Sequence, residues 1–199
     1  ALLTPQGKYI ADFFLVADGD TVLLDVAEAQ ADDLIRRLSM YKLRASVEIS
    51  PTELAMHRGT SPCPSDGFAD PRHAALGWRA YRAEPENDDG TQWDALRVEH
   101  CIPEAGVELT PDTFILEAGF ETLNGVDFRK GCYVGQEVTA RMKHKTVLKK
   151  GLSRVEITYG APEPGQEIVA QGKTAGKVHT VSGDTAIAYL RFDRAKGEM

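Results

Sequence analysis

The run Tyr9-Ile10-Ala11-Asp12-Phe13-Phe14-Leu15-Val16-Ala17, then Asp18-Gly19-Asp20, then Thr21-Val22-Leu23-Leu24-Asp25-Val26 decides the fold class. Its first and third parts are rich in aromatic and β-branched residues, which suit a pleated, half-buried surface. The central Asp-Gly-Asp is a turn signal, so the stretch predicts a β-hairpin. From Glu28 to Lys42 the period changes: Ala31, Leu34, Ile35, Leu38 and Tyr41 recur every three or four residues, opposite Asp32, Asp33, Arg36 and Arg37. That pattern predicts an amphipathic helix laid over a sheet. Ala45-Ser46-Val47-Glu48-Ile49 reads as a further strand. Strand, strand, helix, strand is the order of an α+β layer rather than a doubly wound parallel sheet.

Working outward, residues 58–72 collect glycines and prolines and predict an irregular connection. Leu76-Gly77-Trp78-Arg79-Ala80-Tyr81-Arg82 predicts a strand, and Glu84 to Gly90 an acidic surface loop. Thr91 to His100 predicts a helix with Trp93, Leu96 and His100 on related faces. Cys101 ends it and reads as a buried, inert thiol. Pro111 to Asn124 reads as a mixed connecting stretch. Beyond Lys150 the character shifts to short apolar runs at Leu152–Ile157, Glu167–Ala170, Ala175–Thr180 and Thr185–Leu190, punctuated by glycine and proline. Runs so spaced predict a small β-barrel or sandwich. We place the domain boundary near Thr146 to Gly151, giving domains 1–147 and 148–199.

The chain has 199 residues, 42% hydrophobic and 27% charged, which is globular composition. No apolar run approaches the roughly 20 residues of a membrane span. The three cysteines, Cys63, Cys101 and Cys132, are odd in number, far apart and without zinc-ligand spacing. We read them as thiols of a reducing, cytoplasmic compartment. A net charge of −7 argues against general nucleic-acid binding. The charge is uneven, however: residues 129–150 carry +6 and the rest of the chain −13. That stretch is either a solvated basic face or a seat for an anionic ligand or partner. The chain opens on Ala1 without an initiator Met, and we expect further sequence before it.

Chemistry concentrates in Lys130-Gly131-Cys132-Tyr133-Val134-Gly135-Gln136-Glu137, followed by Val138-Thr139-Ala140-Arg141. Gln136 onward reads as a helix start, so Cys132 lies just before a helix N-terminus with Arg129 and Lys130 beside it. Both features favour a thiolate. Cys132 is therefore a candidate nucleophile, redox sensor or single metal or sulfur ligand; the alternative is a buried structural thiol. Gly131 and Gly135 read as backbone-geometry residues, and Glu137 as either a ligand contact or a residue complementing the helix dipole. Trp93 is either core or a ligand-facing aromatic.

The eight-residue motif resembles the YgfZ family, folate-binding relatives of the glycine-cleavage T-protein (aminomethyltransferase) that include mitochondrial iron–sulfur assembly factors. The resemblance extends through Leu3-Thr4-Pro5-Gln6-Gly7-Lys8, Ala11-Asp12-Phe13, Asp70-Pro71-Arg72, Leu76-Gly77-Trp78-Arg79 and Ala188-Tyr189-Leu190-Arg191. It implies a GcvT-like α+β folate-binding domain, β-hairpins and covering helices around a central hole, and then a C-terminal β-barrel. Such relatives are longer at both ends, so we expect missing terminal segments. The resemblance also implies tetrahydrofolate or a one-carbon folate derivative as ligand. Its function would be that of a monomeric accessory protein supporting iron–sulfur cluster assembly or repair, and hence iron–sulfur-dependent tRNA modification, with iron–sulfur client or assembly proteins as partners. On that basis Trp93 and Tyr133 would stack on the pterin, Lys130 and Arg141 would meet the glutamate tail, and Gln136 and Glu137 would bond the pterin edge, with Gly131 and Gly135 shaping the loop. T-proteins carry two adjacent acids where this chain has Ala11-Asp12. The lost carboxylate argues against glycine-cleavage chemistry, which needs it to orient amine and pterin. A folate-dependent aminomethyl- or methyltransferase is the alternative reading.

Overall fold

The computed structural model describes residues 1–85, 88–145 and 147–196. The predicted acidic loop at 84–90 and the boundary at 146–151 therefore lie partly outside the described residues.

The chain folds as a mixed α+β structure. Strands β1 (Leu2–Leu3) and β2 (Tyr9–Ala11) pair antiparallel. The predicted hairpin is present as β3 (Phe13–Asp18) and β4 (Thr21–Val26), paired from Phe13↔Val26 to Asp18↔Thr21. The single long strand expected over 9–17 is split at Asp12, where the chain passes from one sheet to the next. Helix α1 (Glu28–Tyr41) follows, as its period predicts. It is tethered to β2 through Gln30, whose amide donates to the Ile10 carbonyl. Leu34 is its buried residue, whereas Tyr41, expected on the inner face, is 65% exposed.

The strand expected at Ala45–Ile49 is absent. That segment is exposed and irregular, because its alternating apolar residues meet no partner strand. A strand lies instead at β5 (Ala55–Gly59), whose last two residues fall in the stretch read as an irregular connection. It joins β6 (Phe68–Ala69) and β7 (Trp78–Arg82) in the order β5-β7-β6. Gly59 is required there: a Cβ would sit 2.7 Å from the Trp78 ring across the ladder. Helix α2 (Trp93–Glu99) is close to its predicted bounds, and Cys101 beyond it takes a left-handed φ of 51°.

The stretch read as a connection, 111–124, supplies much of the core. Ile115, Ala118 and Phe120 pack with Leu3, Tyr9 and Leu109. Leu123 closes a second cluster with Leu76 and Ile102. Helix α3 (Gln136–Lys145) then leads toward the C-terminal sheet.

That sheet comprises β8 (Lys150–Glu156), β9 (Glu167–Ala170), β10 (Lys173–Ser182) and β11 (Thr185–Arg191), antiparallel in the order β8-β11-β10-β9. All four predicted runs are strands. Ala175, Val178, Ala186, Ile187, Ala188 and Leu190 are its buried residues. Helix α2 packs on β10 and β11. Buried Glu108 bridges the two parts: Arg97 donates to Oε2 at 2.5 Å, and the Thr180 hydroxyl to Oε1 at 2.5 Å. Among the described residues no helix is long and apolar enough to cross a membrane.

Candidate functional site

The Cys132 loop is held from below by the first turn of the chain. Thr4 to Lys8 closes on itself through Gly7 N–H to the Thr4 carbonyl (2.9 Å) and Lys8 N–H to the Thr4 hydroxyl (3.1 Å). Gly7 (φ +74°) and Gly135 (φ +84°) meet across this contact. A Cβ on Gly135 would lie 2.7 Å from the Thr4 carbonyl oxygen and 3.0 Å from the Gly7 Cα. One on Gly7 would lie 3.0 Å from the Val138 Cβ. Both positions demand glycine for space and for backbone conformation. Gly131 differs: its neighbourhood is open and its φ is not left-handed.

Seated in this way, helix α3 begins at Gln136, and the Thr139 hydroxyl returns a bond to the Gly135 carbonyl at 3.0 Å. Tyr133 anchors the loop inward, packing on the first core cluster. Burial raises the pKa of its hydroxyl, opposed in part by Thr139. The Lys130 ammonium stands 5.2 Å over the Tyr133 ring. Cys132 itself is exposed, with Val134 beside it 43% exposed. Glu137 and Arg141 are exposed on α3, and Gln136 is half-buried. The structure thus presents Cys132 on a loop anchored on its C-terminal side by Tyr133 and Gly135.

Trp93 stands apart from this group. It begins α2 and packs on Leu76, Ile102 and Leu123, with the Arg58 guanidinium 4.1 Å over its ring. His100 at the other end of α2 stacks on His73 at 4.2 Å, a contact the sequence spacing did not reveal.

A cavity of about 110 Å³ opens beside the first hairpin, lined in part by Asp12, Phe13, Phe14, Arg72, Phe120 and Leu123. None of the eight predicted folate contacts lines it. Asp12 accepts the Tyr9 hydroxyl at 2.6 Å. Phe14 lies under two guanidinium groups, Arg79 at 4.3 Å and Arg72 at 5.3 Å. Those cations belong to a buried chain of charge: Arg79 bonds Asp25 (2.6 Å) and Asp70 (2.9 Å), and Arg72 grips Asp70 with two nitrogens. Burial pushes the Asp70 carboxyl up, but the Arg72 and Arg79 bonds outweigh it and leave its pKa lowered. Asp12, Asp70-Pro71-Arg72 and Asn124-Gly125 come from three distant stretches, so no local pattern showed this cavity. The available signals were an acid interrupting an apolar strand and an Asp-Pro-Arg triplet.

A carboxylate, an aromatic face and a guanidinium are the donor set a pterin with an acidic tail would need. The volume admits one ring system, since whole drug-sized ligands take roughly 300–1,000 Å³. The fit is to the pterin end. Among the described residues no group of three or more His, Cys, Asp or Glu could hold a metal ion.

Residues 149–199 match the family described as CAF17, C-terminal β-barrel domain. Over nearly its whole length the chain is similar to proteins named iron–sulfur cluster assembly factor IBA57, mitochondrial. The mouse protein is 30% identical, covering 99% of this chain and 65% of its own length. The human protein is 28% identical with the same coverage, and the homologue from Phaeosphaeria nodorum is 26% identical over 97% of this chain and 61% of its own. The chain therefore spans 65% or less of the length of these relatives. The likeness is to IBA57 and CAF17 proteins rather than to YgfZ in particular.

These names correct one expectation. The relatives are mitochondrial, which points away from the cytoplasmic placement read from the cysteines. Unpaired thiols report a reducing milieu and do not distinguish one reducing compartment from another.

Proposed function

We propose that this protein is an accessory factor in iron–sulfur cluster assembly that acts through Cys132 and binds a folate. The observation carrying this reading is an exposed thiol on a loop clamped by the Gly7–Gly135 contact, in a chain similar to IBA57 assembly factors over 99% of its length. Clamping fixes where the thiol points, while exposure lets a second macromolecule reach it. A cluster, as cargo, takes about four protein ligands, so one cysteine can only share it with a partner's ligands. Loss of such a supply would impair iron–sulfur enzymes, those that modify tRNA included.

The folate would enter beside the first hairpin, with its aminopyrimidine edge at Asp12, its ring against Phe14 and its tail toward Arg72 and Lys130. Tyr133, Gln136, Glu137 and Arg141 would then border the thiol. A one-carbon folate would supply a transferable carbon unit when bound, and Asp12, Phe14 and Arg72 would orient it. Residues 1–147 would form this unit and 148–199 the barrel packed on it through α2.

Replacing Cys132 with Ala in the full-length protein tests the thiol. We expect an unchanged melting temperature and a loss of iron–sulfur enzyme activity in cells dependent on the variant; normal activity would remove Cys132 from the mechanism. Titration with tetrahydrofolate, followed by tryptophan fluorescence, tests the ligand. Absence of binding at millimolar concentration would overturn the folate half alone.

A further inference from the structure

Basic residues cluster where α3 hands over to the C-terminal sheet. Residues 141–150 contain five Lys or Arg and no Asp or Glu, in a chain of net charge −7. Part of this has a local explanation. Lys143 and Lys145 in the last turn of α3 complement the helix dipole, and Lys143 also pairs with Glu121. Lys149 and Lys150 lie past the helix and are exposed. Lys150 stands directly opposite Arg191 in the β8–β11 ladder, a like-charge pairing that costs stability. Arg191 is paired with Asp193 at 3.5 Å, and its buried Nε has no hydrogen-bond partner among the described residues.

Two apolar side chains sit among these cations. Val147 is 87% exposed, and Phe192, joined to Lys149 by a backbone bond of 2.9 Å, is 39% exposed. The end of the Phe192 ring lies against buried Gly151, so the ring lies over the sheet corner and is partly covered. An apolar centre with a charged rim is the anatomy of a protein–protein contact. A net charge of −7 weighs against a nucleic-acid occupant.

We propose that the corner formed by Lys145, Val147, Lys149, Lys150, Arg191 and Phe192 docks a protein partner presenting a small apolar surface ringed by carboxylates. Charge complementarity selects the occupant: the corner is positive, so a partner surface rich in carboxylates is attracted to it. The ten residues of α3 span roughly 15 Å. A standard interface buries about 800 Å² per partner, wide enough to reach from this corner along α3 toward the Cys132 loop. The docking surface stands on its own geometry and holds whatever chemistry Cys132 performs.

The test uses an 18-residue peptide with Leu at i and i+4 and Glu elsewhere, its Gln-substituted counterpart, and a 20-nucleotide single-stranded RNA. Binding at 150 mM salt is followed by amide chemical-shift changes. We expect the Glu peptide alone to bind and to shift Lys145, Val147, Lys149, Lys150 and Phe192. The Lys149→Glu/Lys150→Glu double variant should weaken it at least tenfold with a melting temperature no lower than that of the parent. Val147→Asp should weaken it without altering the response to salt of whatever binding remains. No binding of the Glu peptide overturns the proposal. So does tighter RNA binding that ignores Val147→Asp, which would make the corner a nucleic-acid surface. Shifts that appear on raising protein concentration alone would make it a self-contact and overturn it equally.

Discussion

Gly7 and Gly135 touch across the base of the Cys132 loop, each with a left-handed φ and each lacking room for a Cβ. Gly135→Ala should therefore destabilise the protein by at least about 1 kcal/mol, from backbone conformation alone. The 2.7 Å approach to the Thr4 carbonyl adds to that cost. Gly131→Ala, in open space, should stay within about 0.5 kcal/mol of the parent. Urea denaturation of the two variants separates the cases, and equal losses would contradict the seat.

The Asp70 carboxylate is a second structural linchpin. Its side chain is 3% exposed and serves Arg72 and Arg79 together. Asp70→Asn leaves buried guanidinium groups short of charge and should cost about 3 kcal/mol. Because the folded-state pKa is lowered, this stability is present above the ordinary carboxylate range and is lost as pH falls through the folded value. Acid unfolding of the parent should show that loss, and the Asn variant should lack it.

Titration of His179 works over a different window. Burial lowers its pKa, against a raising pull from Glu108. The unfolded chain then binds a proton that the folded chain resists, so stability should decline as pH falls below about 6.5. Urea midpoints at pH 7.5 and 5.5 measure this, and His179→Asn should flatten the difference.

Glu108 joins α2 to β10 through Arg97 and Thr180. Its side chain is fully buried. Glu108→Gln should destabilise by about 3 kcal/mol, because Arg97 loses its buried counter-charge. A double-mutant cycle with Thr180→Val should give a coupling energy of at least about 0.5 kcal/mol; additivity would mean the bridge is not shared.

The three thiols should separate by reactivity. Cys63 and Cys132 are exposed, while burial pushes the Cys101 thiol up to about 11. At pH 8 a disulfide reagent should titrate two thiols quickly and the third only after denaturation.

The sequence disclosed those elements whose pattern is set by near neighbours. The Asp-Gly-Asp hairpin, α1, α2 and the four C-terminal strands all follow from local period and turn chemistry. Ala45–Ile49 misled because alternation states a preference that only a partner strand can realise. Strand β5 went unseen for the converse reason: His57 and Gly59 become buried only because β7 lies alongside. The Cys132 motif could be read as a unit because its residues are consecutive. Its support by Gly7, and the cavity assembled from Asp12, Arg72 and Asn124, depend on tertiary convergence, which no short window contains.

The Gly7–Gly135 contact also has a temporal side. Ribosomes deliver the first turn early and the Cys132 loop about 130 residues later, roughly 7 to 25 seconds on at typical elongation rates. Until then the early turn has no partner, and the thiol, when it emerges, has no fixed direction. The thiol thus gains its setting only when a turn made about 130 residues earlier closes against the loop that carries it.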